Sequence, residues 1–222
     1  MSIKYFISDK NDGNLAFHVG DIIENVEKNR ENLAKKYSYK NEDMVYMNQI
    51  HSDNIVIVDE KSDKLIDNCD AIITNSKNLP LMVMVADCIP ILLYDEKKSV
   101  ISAIHAGRNS TFLEITKKTA QIFIDKFNSN PKDIRAVLGA SIQKCCYEVS
   151  FEMAKIVESS FGKEFVEGRN IDLQNINRKQ LNDLGIKNIE ISDICTKCGT
   201  SNYFSYRKNS RTGRFAAIIT IH

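Results

Sequence analysis

Leu79–Asn109 reads LPLMVMVADCIPILLYDEKKSVISAIHAGRN and carries the longest apolar runs of the chain. Leu81–Val85, Ile91–Tyr94 and Val100–Ile104 are short, apolar and partly β-branched, which is the pattern of buried strands. The polar break Asp95-Glu96-Lys97-Lys98-Ser99 turns the second strand back on the third. Pairing Tyr94 with Val100 sets His105 opposite Ile89, beside Cys88. Pro90 has no N–H to give a central ladder, so Cys88 is expected where a strand ends. A thiol and an imidazole thus meet at one edge of a hydrophobic sheet.

Working upstream, Asn48-Gln49-Ile50-His51-Ser52 lies between the apolar run Met44–Met47 and an alternating strand, Ile55–Val58. His51 therefore also sits at a strand end, in a polar turn. Two His and one Cys are a borderline-soft ligand set that suits Zn²⁺, with a fourth position left for water or substrate. The plainer alternative is an ordinary buried thiol beside ordinary histidines.

The remaining chain bounds the function. With 30 basic and 29 acidic side chains over 222 residues, no electrostatic footprint for nucleic acid or a membrane surface is present. No window approaches a membrane span, and Met1–Ile7 is too short and polar for a signal peptide. Six Cys without an export signal point to a reducing cytoplasm. One domain over residues 1–222 is expected, without internal repeats; the oligomeric state is left open.

Ile3–Ser8 reads as an edge strand and Asp21–Lys36 as an amphipathic helix. Ala71–Thr74 is a short strand after Cys69-Asp70, to which no catalytic role is given. Thr111 and Glu114 fit a capping box for a helix whose N-terminus, close behind Gly107, would attract an anion. Ile134–Leu138, Ile189–Ile191 and Phe215–Ile221 are further strands. Ser150 and Asp172 cap two more helices, which end at Gly162 and Gly185. Cys195-Thr196-Lys197-Cys198 is half a zinc knuckle or a redox pair, and Cys145-Cys146 would complete four thiols. Adjacent cysteines are poorly placed to ligate one tetrahedral ion, so reduced, partly buried thiols are expected there. Arg207, Lys208, Arg211 and Arg214, beside Tyr203, Phe204 and Tyr206, form the clearest basic cluster, either a solvated turn or an anion site.

Five motifs occur in order: Asn48-Gln49-Ile50-His51, Ala86-Asp87-Cys88-Ile89-Pro90, His105-Ala106-Gly107, Gly139–Val149 (GASIQKCCYEV) and Phe204–Arg214 (FSYRKNSRTGR). Across nearly its whole length the chain resembles the laccase-domain family, once called multicopper polyphenol oxidases and now described as zinc-containing purine nucleoside phosphorylases with adenosine deaminase activity. The resemblance implies an α+β fold with two packed mixed β-sheets flanked by helices, a four-layer sandwich related to cytotoxic necrotizing factor toxins. It maps the metal ligands onto His51, Cys88 and His105. Asp87 becomes a candidate proton carrier or hydrogen-bond partner of a metal-bound His. Asn48, Arg108, Arg207 and Arg214 become candidates for substrate and phosphate. The chain departs from the family after His-Ala-Gly, where Trp, a basic residue and Gly are usual and Arg108-Asn109-Ser110 stands instead.

Three readings follow. The first is a zinc-dependent phosphorylase of adenosine, inosine and methylthioadenosine, giving free base and ribose 1-phosphate with deamination as a side activity. The second is a metal-free cysteine hydrolase with Cys88 as nucleophile, His105 as base and Asp87 or a backbone carbonyl as orienter. The third is a non-catalytic module around a structural zinc. Four His, at 18, 51, 105 and 222, are too few for a trinuclear copper cluster with a separate electron-accepting copper. Copper bound in vitro would then be adventitious.

Overall fold

A computed structural model describes residues 2–200 and 202–222. In chain order, β1 is Ile3–Ile7, α1 Ile23–Tyr37, β2 Val45–Met47, β3 Ile55–Ile57, β4 Leu65–Ile66 and β5 Ala71–Thr74. Then come β6 Leu81–Val85, β7 Ile89–Asp95, β8 Val100–Ala106, α2 Arg108–Phe112, α3 Ile115–Phe127 and β9 Arg135–Leu138. Last are α4 Phe151–Phe161, β10 Val166–Glu167, β11 Asn170–Ile171, α5 Leu173–Asp183, β12 Asn188–Ile191 and β13 Phe215–Ile221.

Side-chain alternation sets the layers. In β6, Leu81, Val83 and Val85 enter one core, while Met82 and Met84 enter another with Leu33 of α1. In β7, Leu92 and Tyr94 share the first of these cores, whereas Ile89, Ile91 and Leu93 turn to Phe123, Val157 and Ile176 of α3, α4 and α5. Three cores thus separate four layers: α1, a mixed sheet in the order β1-β13-β6-β2-β4, a mixed sheet in the order β12-β9-β7-β8-β5-β3, and the remaining long helices. The expected α+β sandwich of two packed mixed sheets is the fold observed, with β1 at a sheet edge.

Three local expectations change. The β7–β8 hairpin pairs Asp95 with Val100 and Pro90 with His105, one residue from the expected register. Asp95 remains in the strand because its carboxylate accepts from the Lys97 and Lys98 amides (2.8 and 3.1 Å), which closes the turn over residues 96–99. Pro90 lies within β7 rather than before it. Its carbonyl faces β9 and accepts from Gly139 N (2.9 Å) where that ladder is ending, so the missing N–H falls on the frayed side. The capping box at Thr111 does not form. Thr111 lies inside the five-residue α2, whose N-cap is Gly107, and Glu114 at φ 60° breaks the helix before α3. A helix that short has little dipole to offer an anion.

Candidate metal and substrate site

β6 and β7 belong to different sheets, and the chain crosses between them in Ala86-Asp87-Cys88. Asp87 makes the bend at φ 88°, a left-handed conformation that costs a non-glycine residue about 1–2 kcal/mol. Three bonds hold it: Thr196 Oγ1 donates to Oδ1 (2.6 Å), Arg207 N to Oδ2 (2.6 Å) and Ile142 N to the carbonyl (2.9 Å). Half-buried Cys88 emerges at the end of the inter-sheet core. His105, buried, shares the strand parity of Ile101 and Ala103 and so faces the same core from β8.

His51 arrives from the β2–β3 loop at φ 61°. Its Nε2 is 3.8 Å from Cys88 Sγ, and its ring meets that of His105 edge-on at a centroid distance of 4.6 Å. One donor atom from each of the three residues falls within 4.8 Å of the others. Bonds of about 2.0–2.3 Å to a tetrahedral ion imply ligand separations of about 3.3–3.8 Å, so the cluster is compatible with a bound metal ion. Gly107 makes the approach possible. A Cβ there would stand 2.8 Å from His51 Cδ2 and 3.1 Å from Cys88 Sγ.

Asp70 organises both imidazoles. Its carboxylate, fully buried at the start of β5, accepts from His105 Nδ1 (2.7 Å), from the amides of Ile50, His51 and Ser52 (3.3, 2.9 and 2.6 Å), and from Ser52 Oγ (2.8 Å). Burial alone would raise its pKa; the His105 imidazole and the Ser52 donors outweigh that and hold it at about 2. Burial likewise pushes the Cys88 thiol up, but His105 and His51 bring it down to about 6. The partner of His105 is therefore Asp70, not Asp87, whose oxygens are spent on Thr196 and Arg207. Nothing in a lone Asp before a strand signals this. Gln49 is a second anchor that residue type alone does not signal: it donates to Met84 O (2.8 Å) and accepts from Met84 N (3.0 Å), tying the His51 loop to β6.

The cluster lines a cavity of about 850 Å³. Arg30, Arg108, Arg207 and Arg214 line it too, against Asp87 alone among the acids, and among the described residues none of the four forms an ion pair with a carboxylate. Arg108 Nε is buried without a hydrogen-bond partner. Arg207 donates to Glu148 O (3.0 Å) and lies over the Tyr147 ring (5.0 Å), and Arg214 donates to Thr212 O (2.8 Å) and Gly213 O (3.1 Å). Asn48 lines the exposed rim and donates to Asp67 (3.3 Å). The structure thus gathers every residue singled out in the sequence for this site around one cavity.

The chain as a whole is similar to known proteins. The family model described as "Multi-copper polyphenol oxidoreductase laccase" matches residues 6–222. A protein of Corynebacterium glutamicum named purine nucleoside phosphorylase is 34% identical, the match covering 93% of this chain and 85% of that protein. One of the same name from Bacillus subtilis is 30% identical, over 93% of this chain and 81% of its own length. Among solved structures, a Bacillus licheniformis hypothetical protein, YfiH, superposes with a TM-score of 0.88 at 29% identity, covering 99% of this chain and 93% of that one.

Proposed function

The chain belongs to the multi-copper polyphenol oxidoreductase laccase family, and on that footing we propose that it is a zinc-dependent purine nucleoside phosphorylase acting on adenosine, inosine and methylthioadenosine. The observation that carries this reading is a His–Cys–His cluster opening into a cavity whose arginine guanidinium groups, among the described residues, form no ion pair with a carboxylate. His51, Cys88 and His105 would hold the ion. When bound, zinc supplies a Lewis acid that polarises substrate or lowers the pKa of water. Among the described residues two imidazoles reach the cluster, so a multinuclear copper centre does not fit it.

The residues divide the work. Arg108, Arg207 and Arg214 are suited to a phosphate, which bidentate guanidinium donors neutralise. Tyr147, Tyr206, Phe17 and Tyr46 line the cavity and supply its aromatic surface for a purine. Asp70 fixes the His105 tautomer, leaving Nε2 for the ion, and keeps His51 in its strained turn. In phosphorolysis a phosphate oxygen bonds to the ribose anomeric carbon, the glycosidic bond breaks, and the base leaves with a proton. Adenosine deamination is the minor activity in this reading. We also read the protein as cytoplasmic, on its six unpaired cysteines; among the described residues no helix is long and apolar enough to cross a membrane.

Zinc-loaded protein given adenosine and phosphate is expected to release adenine and ribose 1-phosphate, and to stop when phosphate is omitted. Inosine formed directly from adenosine reports deamination. If all three nucleosides survive, the non-catalytic module takes precedence. A second reading has an observation of its own: Cys88, His105 and Asp70 also form a thiol–imidazole–carboxylate series. A thiolate bound to zinc is not free as a nucleophile. Activity that survives complete chelation, with Cys88 trapped as a covalent intermediate, would favour the metal-free hydrolase.

A further inference from the structure

Far along the chain from His51, Cys88 and His105 lie the four cysteines expected to be reduced, and all four are free thiols. Cys145, Cys146, Cys195 and Cys198 converge, with their sulfurs within 4.8 Å of one another. Adjacent cysteines project to opposite faces only in an extended strand. Here Cys145-Cys146 sits in a turn in which the Cys146 and Tyr147 amides both donate to Gln143 O (2.9 Å each), so the two thiols can share a side. Facing them, Cys195-Thr196-Lys197-Cys198-Gly199 has its glycine at φ 69°. A left-handed glycine directly after the second cysteine of C-x₂-C folds the two thiols toward one side, as a metal-binding knuckle does.

We propose that these four cysteines form a second metal centre, a closed tetrathiolate site for zinc that staples the 143–147 turn to the 194–199 loop. Cys145 and Cys198 sulfurs lie 3.7 Å apart, far beyond a disulfide of about 2.05 Å and close to the edge of about 3.8 Å that a tetrahedral zinc–thiolate site requires. The cradle does not depend on the cysteines alone. Ser141 and Cys195 form a parallel bridge, Thr196 N donates to Ser141 O (3.0 Å), and Gln143 Nε2 reaches Ser192 O and Ile194 O (3.4 Å each). Cys145 and Cys198 are exposed, which gives an incoming ion a path, and the thiol protons leave to solvent as it binds. With four thiolates no open position remains, so the centre is structural. Its effect on the cavity runs through Thr196, which lies between two of the ligands and donates to Asp87 beside Cys88.

The test is metal stoichiometry by mass spectrometry on protein purified under reductant with zinc in the medium. Wild type is expected to hold two zinc ions per chain, falling to one in Cys195→Ser/Cys198→Ser, to one in His51→Ala, and to none when all three changes are combined. Cobalt loading of His51→Ala covers the case in which the cysteine variant does not fold. Strong sulfur-to-cobalt charge transfer with tetrahedral d–d bands supports the site, and an octahedral aquo spectrum overturns it. Retention of the full wild-type zinc content by the cysteine variant also overturns it. So does an unreduced mass two hydrogens light, which would make the cluster a disulfide. Because His51→Ala and the cysteine variant remove different ions, failure here is separate from failure of the phosphorylase reading.

Discussion

Asp70 bears more of the candidate site than any ligand does. A buried carboxylate with five donors is stable only while charged and fully bonded. Asp70→Asn keeps the shape but turns one acceptor into a donor facing other donors. It is expected to cost roughly 2–3 kcal/mol in denaturant unfolding and to weaken zinc about 10–100-fold by competition with a chromophoric chelator. Ser52→Ala, which removes one donor of the five, is the milder control at about 1 kcal/mol. Gly107→Ala tests a different cause. Gly107 has an ordinary φ of −76°, so the metal-free protein should unfold within about 1 kcal/mol of wild type. The added methyl would nonetheless displace His51 and Cys88, and zinc affinity should fall at least tenfold; unchanged affinity would show that the cluster holds no ion. His51, Cys88 and His105 were legible because each is a chemically distinctive residue at a strand end. Asp70 and Gln49 were not, since a carboxylate or amide becomes an anchor only through partners brought in by tertiary packing.

At the scale of elements, the segment behind His105 shows where local pattern stops informing. The sequence pattern gives one helix capped at Thr111, whereas the structure has two, broken at Glu114. α5 decides this. Asn177 donates to Thr111 Oγ1 (3.0 Å) and accepts from Thr116 Oγ1 (2.6 Å), while Gln180 donates to Thr111 O (2.8 Å). Those buried bonds pin the chain on both sides of the break at Glu114, and α2 carries Arg108 to the cavity. Asn177→Leu would leave two buried hydroxyls without these partners, and should destabilise the protein by about 2–4 kcal/mol, read as a lower denaturant midpoint at unchanged slope. If Arg108 binds phosphate, the same change should raise KM for phosphate more than KM for nucleoside. Equal effects on both would mean that α2 merely packs. The hairpin register failed for a similar reason: the Asp95 carboxylate accepts turn amides, and residue type alone does not say whether an Asp sits in the turn or closes it from the strand.

For the whole molecule, layer composition was readable because buried strands and amphipathic helices have distinct periods, but the division of strands between sheets was not. β6 and β7 are equally apolar, and only the crossover at Asp87, stabilised by residues more than fifty positions downstream, sends them apart. That crossover places the cluster at the seam of two sheets. It also concentrates charge there: the chain carries a formal net charge of +1, yet four arginines and one Asp line the cavity. A near-neutral surface with a cationic cavity attracts a small anion locally rather than a polyanion over a face. Phosphate recognition should therefore respond to salt, with the Debye length near 10 Å at 0.1 M. Raising potassium chloride from about 0.02 to about 0.2 M should increase KM for phosphate severalfold and leave KM for inosine, which is uncharged, nearly unchanged. Arg214→Met and Arg207→Met should each raise the phosphate KM by roughly 10–100-fold, the worth of one charge-assisted bond, and flatten the salt response. Arg108→Trp restores the aromatic usual after His-Ala-Gly. If it alters nucleoside preference while phosphate KM and its salt dependence stay as in wild type, the phosphate lies with Arg207 and Arg214, and the loop after His105 reads the base or sugar.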